Sequence, residues 1–206
     1  LSEYIDKNML IPMQFELHNS KPPNKKNILF LHIDSPKFYD ELKFIFLNFF
    51  PSMKVNSIIV FQDYFYHWSA TLIASIQYLV KLKIIKVKNT AASSLTVILN
   101  KHISQNELEL LDIKMKNSDF ILKMLDEAIL ATNSYEVDRP SIFVPRLILS
   151  KFQFLWEKKM HEKATGLLFN YIQRNKIHKN LIDDFYDLMK EGISIRENYE
   201  KDYLYK

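Results

Sequence analysis

Hydrophobic positions along the chain fall into two regimes. Between residues 28 and 66 they come as short apolar runs. Ile28-Leu29-Phe30-Leu31-His32-Ile33 is closed by Asp34, and Ile58-Ile59-Val60-Phe61 is closed by Gln62-Asp63-Tyr64. Such short, bulky, nearly continuous runs are the pattern of strands covered on both faces. Between them Ser35-Pro36 opens a helical stretch over 37–50, since Ser caps and Pro suits the first turn. Pro51 stops it. Strand, helix, strand within this length is a βαβ unit, whose right-handed crossover makes the strands parallel. Asp34 and Asp63 are then expected on one rim of the sheet, where ligands bind in open α/β folds.

The next segment repeats the alternation. Trp68, Leu72, Ile73, Ile76, Leu79 and Val80 recur at helical spacing and predict a helix over 68–81. The run 81–88 is flanked by lysines, which suits an edge strand guarded against wrong pairing. Residues 89–92 turn the chain and 93–99 form a further strand, close enough that the pair must be an antiparallel hairpin. The order is β-α-β-α-β-β. His32, inside the first strand, reads as a core histidine.

From Ser104 the period becomes helical throughout. Ser104-Gln105-Asn106-Glu107 is a capping box. It predicts a helix to about residue 131, a loop over 133–145 and helices over 146–161, 162–176 and 181–191. The expected organisation is an α/β region over 1–103 and a helical region over 104–206. Residues 1–17 give no clear pattern, 19–27 with Pro22-Pro23 read as a loop, and the tail from 198 is expected to fray.

Composition narrows the function classes. The chain has 206 residues, 48% of them hydrophobic and 25% charged, enough for a substantial core. It has no cysteine, which excludes disulfides, thiolate metal sites and cysteine nucleophiles. Net charge is +4, with lysines scattered among nearly as many acids. No basic stripe interleaved with aromatics appears, which argues against a nucleic-acid surface. No run reaches the roughly 18 apolar residues of a membrane span, and no signal peptide is visible, so a cytoplasmic setting is the default expectation. The two glycines, Gly166 and Gly192, are too few and too late for a phosphate-cradling loop or a dinucleotide fingerprint. The chain starts at Leu1 and not at Met, as a trimmed chain or a piece of a longer one would.

Each candidate side chain has a functional and a structural reading. Asp34 and Asp63 suit a magnesium ion, a hard cation that takes oxygen ligands, or they cap the turns that follow their strands. Gln62 offers a carbonyl oxygen beside them. His67, four residues past Asp63, is placed for a general base, its ordinary pKa lying near neutrality, or it is a helix-start or surface residue. Tyr64, Tyr66 and Trp68 present aromatic faces that stack on sugars, or they pack against the sheet. The Phe-rich stretch 44–50 reads as core.

Taken together, residues 28–99 resemble the second half of a class I S-adenosylmethionine-dependent methyltransferase, with its later parallel strands and terminal antiparallel hairpin. Within that Rossmann-like class the chain is most similar to the macrocin O-methyltransferase group, which modifies sugars. The group carries an acidic cluster after one strand, a turn after the helix, a Pro-Gly-Gly before the next strand and an Asp-Asp-Tyr at its end. The counterparts here are Ile33-Asp34-Ser35-Pro36, Phe50-Pro51, Val55-Asn56-Ser57 and Gln62-Asp63-Tyr64. The resemblance covers about a third of the chain. It implies O-methylation of a sugar or other small hydroxyl compound, with Asp34 and Asp63 on Mg2+, Asp34 and His67 catalytic, and Gln62, Tyr64, Tyr66 and Trp68 toward the acceptor. The chain departs from the group at Pro36 or Lys37, where a second acid is expected, at Gln62, and at the glycine pair. The glycine-rich loop and ribose-binding acid of the family's first half have no counterpart here, so S-adenosylmethionine would bind only with that half present. Two other readings stand beside it. A methyltransferase-like scaffold that binds a protein partner would use the helical region for docking, and its truncated sheet would leave an edge that favours dimerisation or a covering segment. A different α/β enzyme, such as a glycosyltransferase, would suit a metal at an acidic strand end as well.

Overall fold

A computed structural model of the protein describes residues 28–34, 38–66, 70–133, 135 and 140–175. The segment 1–27, the Ser35-Pro36 helix start, His67, Trp68, the helix expected over 181–191 and the tail lie outside the described residues.

The first strand, β1, is Ile28–Ile33, and helix α1, Tyr39–Asn48, follows it. Phe38 stands at the N-cap position, and its amide donates to the Glu41 carboxylate at 3.3 Å. The helix ends at Asn48, whose side-chain amide donates to the Phe44 carbonyl at 2.8 Å. Pro51 lies in a short 3-10 turn, Phe50–Ser52. Strand β2, Met53–Phe61, runs parallel to β1. It is longer than its apolar run, because the polar residues before Ile58 form a bulge. Ile28 pairs with Met53 and Phe30 with Ile58, so β1 advances two residues while β2 advances five. Asn56 takes a left-handed φ of 71°, which asparagine tolerates, and the Ser57 hydroxyl pins the bulge to the Ile28 carbonyl at 2.7 Å.

Helix α2, Ala70–Lys81, leads to the hairpin of β3, Ile85–Ala91, and β4, Ser94–Leu99. The sheet order is β1-β2-β4-β3, with β4 antiparallel to both neighbours. The lysine-bearing β3 is an edge strand, as its charges predict. The turn sits later than expected, at Ala92-Ser93, because a register shift between Val87 and Asn89 carries the strand past Lys88.

Register assigns each side chain to a face. Ile33, Ile59, Phe61, Leu95, Val97, Leu99 and Ile85 share the buried face and join one apolar core with α1 and α2. On the other face stand two rows, Phe30-Ile58-Ile98-Lys86 and His32-Val60-Thr96-Asn89, all exposed or half-buried. The expectation of strands covered on both faces is therefore corrected, and so is that of a core His32. Successive right-handed crossovers that step the same way across a sheet put their helices on the same side. Here β1 to β2 and β2 to β3 step the same way. An unbroken apolar run does not reveal that.

Among the described residues four more helices follow; the first three extend the same core, and the last packs its Ala164 with Phe152 and Leu155 in a separate small cluster. The expected single helix from Ser104 is two: α3, Gln105–Met115, and α4, Ser118–Thr132. The Ser104 capping box is present, and Asn117 caps α4 by accepting from the Phe120 amide at 3.0 Å. Helix α5, Pro140–Glu157, starts inside the expected loop and has Pro145 within it. Pro140 suits the first turn. Pro145 removes one early helical hydrogen bond, a loss offset by burial of Phe143 and Leu147. Helix α6 is His161–Asn175. Of the Phe-rich stretch, Phe46 and Phe50 are buried and Leu47 is exposed. No helix among the described residues is long and apolar enough to cross a membrane.

Candidate functional site at the carboxyl rim of the sheet

Parallel pairing decides where the strand-end acids stand. Ile33 pairs with Phe61, and the Gln62 amide donates to the Ile33 carbonyl at 2.9 Å. Asp34 and Asp63 therefore leave adjacent strands at the same rim. Asp34 is exposed, while Gln62 and Asp63 are half-buried. Asp63 adopts a left-handed φ of 57°. One of its carboxylate oxygens accepts from the Ser93 hydroxyl at 2.9 Å, and its carbonyl accepts from the Tyr66 amide at 3.0 Å. The Phe65 amide donates to the Ser93 carbonyl at 3.0 Å. The β3–β4 turn is thus stitched onto the loop after β2.

The aromatics of this loop divide. Tyr64 and Phe65 are fully buried and pack edge to face at 4.8 Å. Burial, then the nearby Tyr135, pushes the Tyr64 hydroxyl well above the ordinary tyrosine range. Tyr64 thus takes the packing role, because a ring with no exposed surface cannot meet an acceptor. Tyr66 remains half-buried, with the Arg146 guanidinium over its ring at 5.5 Å. The Ser150 hydroxyl donates to the Tyr66 carbonyl at 2.8 Å, and Phe143 stacks on Phe65 at 4.4 Å. All three partners belong to α5, so the helical half closes over the rim.

The amino ends of α1 and α2 open to this same side, since each helix follows a strand that ends here. Between them and α5 lies a cleft of about 240 Å³. Tyr39, Asp40 and Thr71 line one side, and Gln153, Glu157 and Lys158 the other, with Ser150 reaching both cleft and rim loop. Burial, then Asp112 and Asp40, raises the Tyr39 hydroxyl above its ordinary range, so it stays protonated and able to donate. A larger groove of about 480 Å³ lies at the opposite edge, where Met53, Lys54 and His102 meet Phe46 and Phe50. It is mainly apolar and holds no carboxylate. The smaller cleft is the one beside the chemistry.

The donor set does not fit the implied metal. Among the described residues no group of three or more His, Asp or Glu is arranged to hold one, and Asp63 already accepts from Ser93. The S-adenosylmethionine cradle fits no better. The one described glycine, Gly166, is inside α6 and not in a strand-to-helix turn. What the rim can do is accept hydrogen bonds from hydroxyls at Asp34, Gln62 and Asp63.

Ser93, Arg146, Ser150, Tyr39 and Gln153 were not legible as site residues. Tyr39 opens α1, Ser93 lies in the hairpin turn, and Arg146, Ser150 and Gln153 lie on α5 far along the chain, so only tertiary packing brings them together. No family model, no curated protein and no solved structure matches the chain.

Proposed function

We propose that this chain is the acceptor-binding side of an S-adenosylmethionine-dependent O-methyltransferase-like protein with a Rossmann-like sheet, acting on a sugar or other small hydroxyl compound. What supports the reading is the strand order: two adjacent parallel strands, each leading to an acid at a common rim, and then an antiparallel hairpin at the sheet edge. Asp34, Gln62 and Asp63 accept from the acceptor's hydroxyls and orient them, and Tyr66 under Arg146 supplies a flat wall. Holding a hydroxyl in line lowers the barrier by prepaid orientation. The methyl donor, when bound, supplies the electrophilic carbon. Asp34 is the exposed carboxylate able to take the hydroxyl proton, with His67 as the second candidate base. Calorimetric titration of the full-length gene product with S-adenosylmethionine tests this, with saturable binding expected. Absence of binding to the intact product removes the reading.

A protein-interaction role is favoured by a separate observation. The outer edge of the sheet exposes Leu29 (62%) and Phe30 (59%) on an uncharged strand, whereas the opposite edge carries lysines. Light scattering on the eluting protein discriminates: a monomer that captures no partner counts against this role.

A further inference from the structure

The outer face of the sheet has a chemistry of its own. The four strands carry Lys54, Lys86, Lys88 and His32 and not one acid. All three lysines are exposed. The ion pairs among the described residues use Lys43, Lys81, Lys101, Lys116 and Lys151, and none of the strand lysines. Register adds flat rings to the charge. Phe30 is 59% exposed on this face, and the exposed His32 stands two residues along the same strand, roughly 7 Å away. Across the sheet Phe30 is in line with Ile58, Ile98 and Lys86. Ring and ammonium are thus the two ends of one row roughly 14 Å wide, three strand spacings. Lys88 lies at the register shift two residues further along β3.

Rings that can stack, a half-buried apolar floor of Ile58, Val60 and Ile98, and lysines outside any ion pair match a ligand of flat bases on a polyanionic backbone. No basic stripe runs along the chain, but strand pairing assembles one from segments far apart in sequence. A duplex keeps its bases stacked and has no free base face to offer, so the ligand is single-stranded. A protein partner suits the apolar middle too, but a face without acids selects a polyanion. The geometry points to the outer face as a platform for single-stranded nucleic acid. Bases stack on Phe30 and His32, and phosphates pass over Lys86 and Lys88. Asp34 stands beyond His32 at the rim, so the backbone keeps to the lysine side. This site goes beyond the methyltransferase reading and does not rest on it.

The test is fluorescence anisotropy of labelled oligothymidylate and oligouridylate, each about 12 nucleotides long, titrated with the full-length gene product. At least one is expected to bind, and more tightly than a duplex of the same length. Its log affinity is expected to fall against log salt with a slope of about −1.4 or steeper, since each phosphate neutralised on a single strand contributes about 0.7. Lys86→Ala should flatten that slope by about 0.7. Lys123→Ala, at an exposed lysine on α4, should leave it unchanged. Phe30→Ala should weaken binding at least about fivefold while Phe30→Trp keeps it, with circular dichroism confirming the fold. Failure of both oligonucleotides to bind at about 50 mM salt overturns the proposal. Equal effects at Lys86 and Lys123, full binding by Phe30→Ala, or equal binding of the duplex do so as well, because they mark attraction to net charge alone. A dimer in light scattering that excludes the oligonucleotide gives the face to a second copy and also overturns it.

Discussion

At the scale of single residues, charge and capping meet most clearly at Glu107. Its carboxylate accepts from Lys101 at 2.8 Å and from the Ser104 amide at 2.9 Å. The Lys101 hydrogen bond first, and the Ser104 amide second, hold its pKa down at about 2 against an ordinary 4.5. A depressed acid contributes stability above its unfolded pKa and loses it as pH falls through the folded value. The contribution of Glu107 is therefore complete above about pH 4.5 and gone near pH 2. Glu107 sits near solvent, so screening leaves roughly 1 kcal/mol of it. Glu107→Gln is expected to lower stability by about that much at pH 7 in urea melts. The difference should close as pH approaches 2. Ser104 and Glu107 were legible from spacing alone, because a capping box is a local device. Asp63 was legible only as a strand-end acid. Its bond to Ser93, thirty residues away, depends on the hairpin folding back over the rim.

At the scale of elements, two helices end without glycine where glycine is the usual choice. Lys83 after α2 and Lys159 after α5 take left-handed φ values of 56° and 59°. In each case the next amide reaches back five residues, Ile84 to Leu79 at 3.0 Å and Met160 to Leu155 at 2.9 Å. This is the Schellman closure, and a side chain there costs about 1 kcal/mol. Lys159→Gly is expected to raise the unfolding free energy by about that amount, read as a higher urea midpoint at unchanged slope. The number of helices was partly legible and their breaks were not. Asn117 divides what apolar spacing alone reads as one helix, and Pro145 sits inside α5 because its neighbours bury Phe143 and Leu147.

At the scale of the whole molecule, the sheet has one face committed to the core and one that no described helix covers. Two phenylalanines measure the difference. Phe61 has no exposed surface and Phe30 is 59% exposed. Phe61→Ala is expected to cost about 3–5 kcal/mol, while Phe30→Ala should stay within about 0.5 kcal/mol, both by denaturant unfolding. Equal costs would mean that the outer face is covered in solution. The exposed β1 edge and the cleft between α1, α2 and α5 lie on different parts of the molecule, so the protein-interaction role and the acceptor-binding role proposed above are separable by mutation.

The order of strands and helices through the hairpin, the parallel pairing of β1 with β2, the hairpin itself and the common rim of Asp34 and Asp63 follow from the sequence by itself. Each depends on local period, connection length and turn chemistry, which act over few residues. Which face of the sheet is buried, that Tyr64 belongs to the core, and that α5 brings Arg146, Ser150 and Gln153 to the rim were decided only by the tertiary structure. Those outcomes depend on the direction in which successive crossovers step and on contacts between segments far apart in the chain, and periodicity carries no record of either.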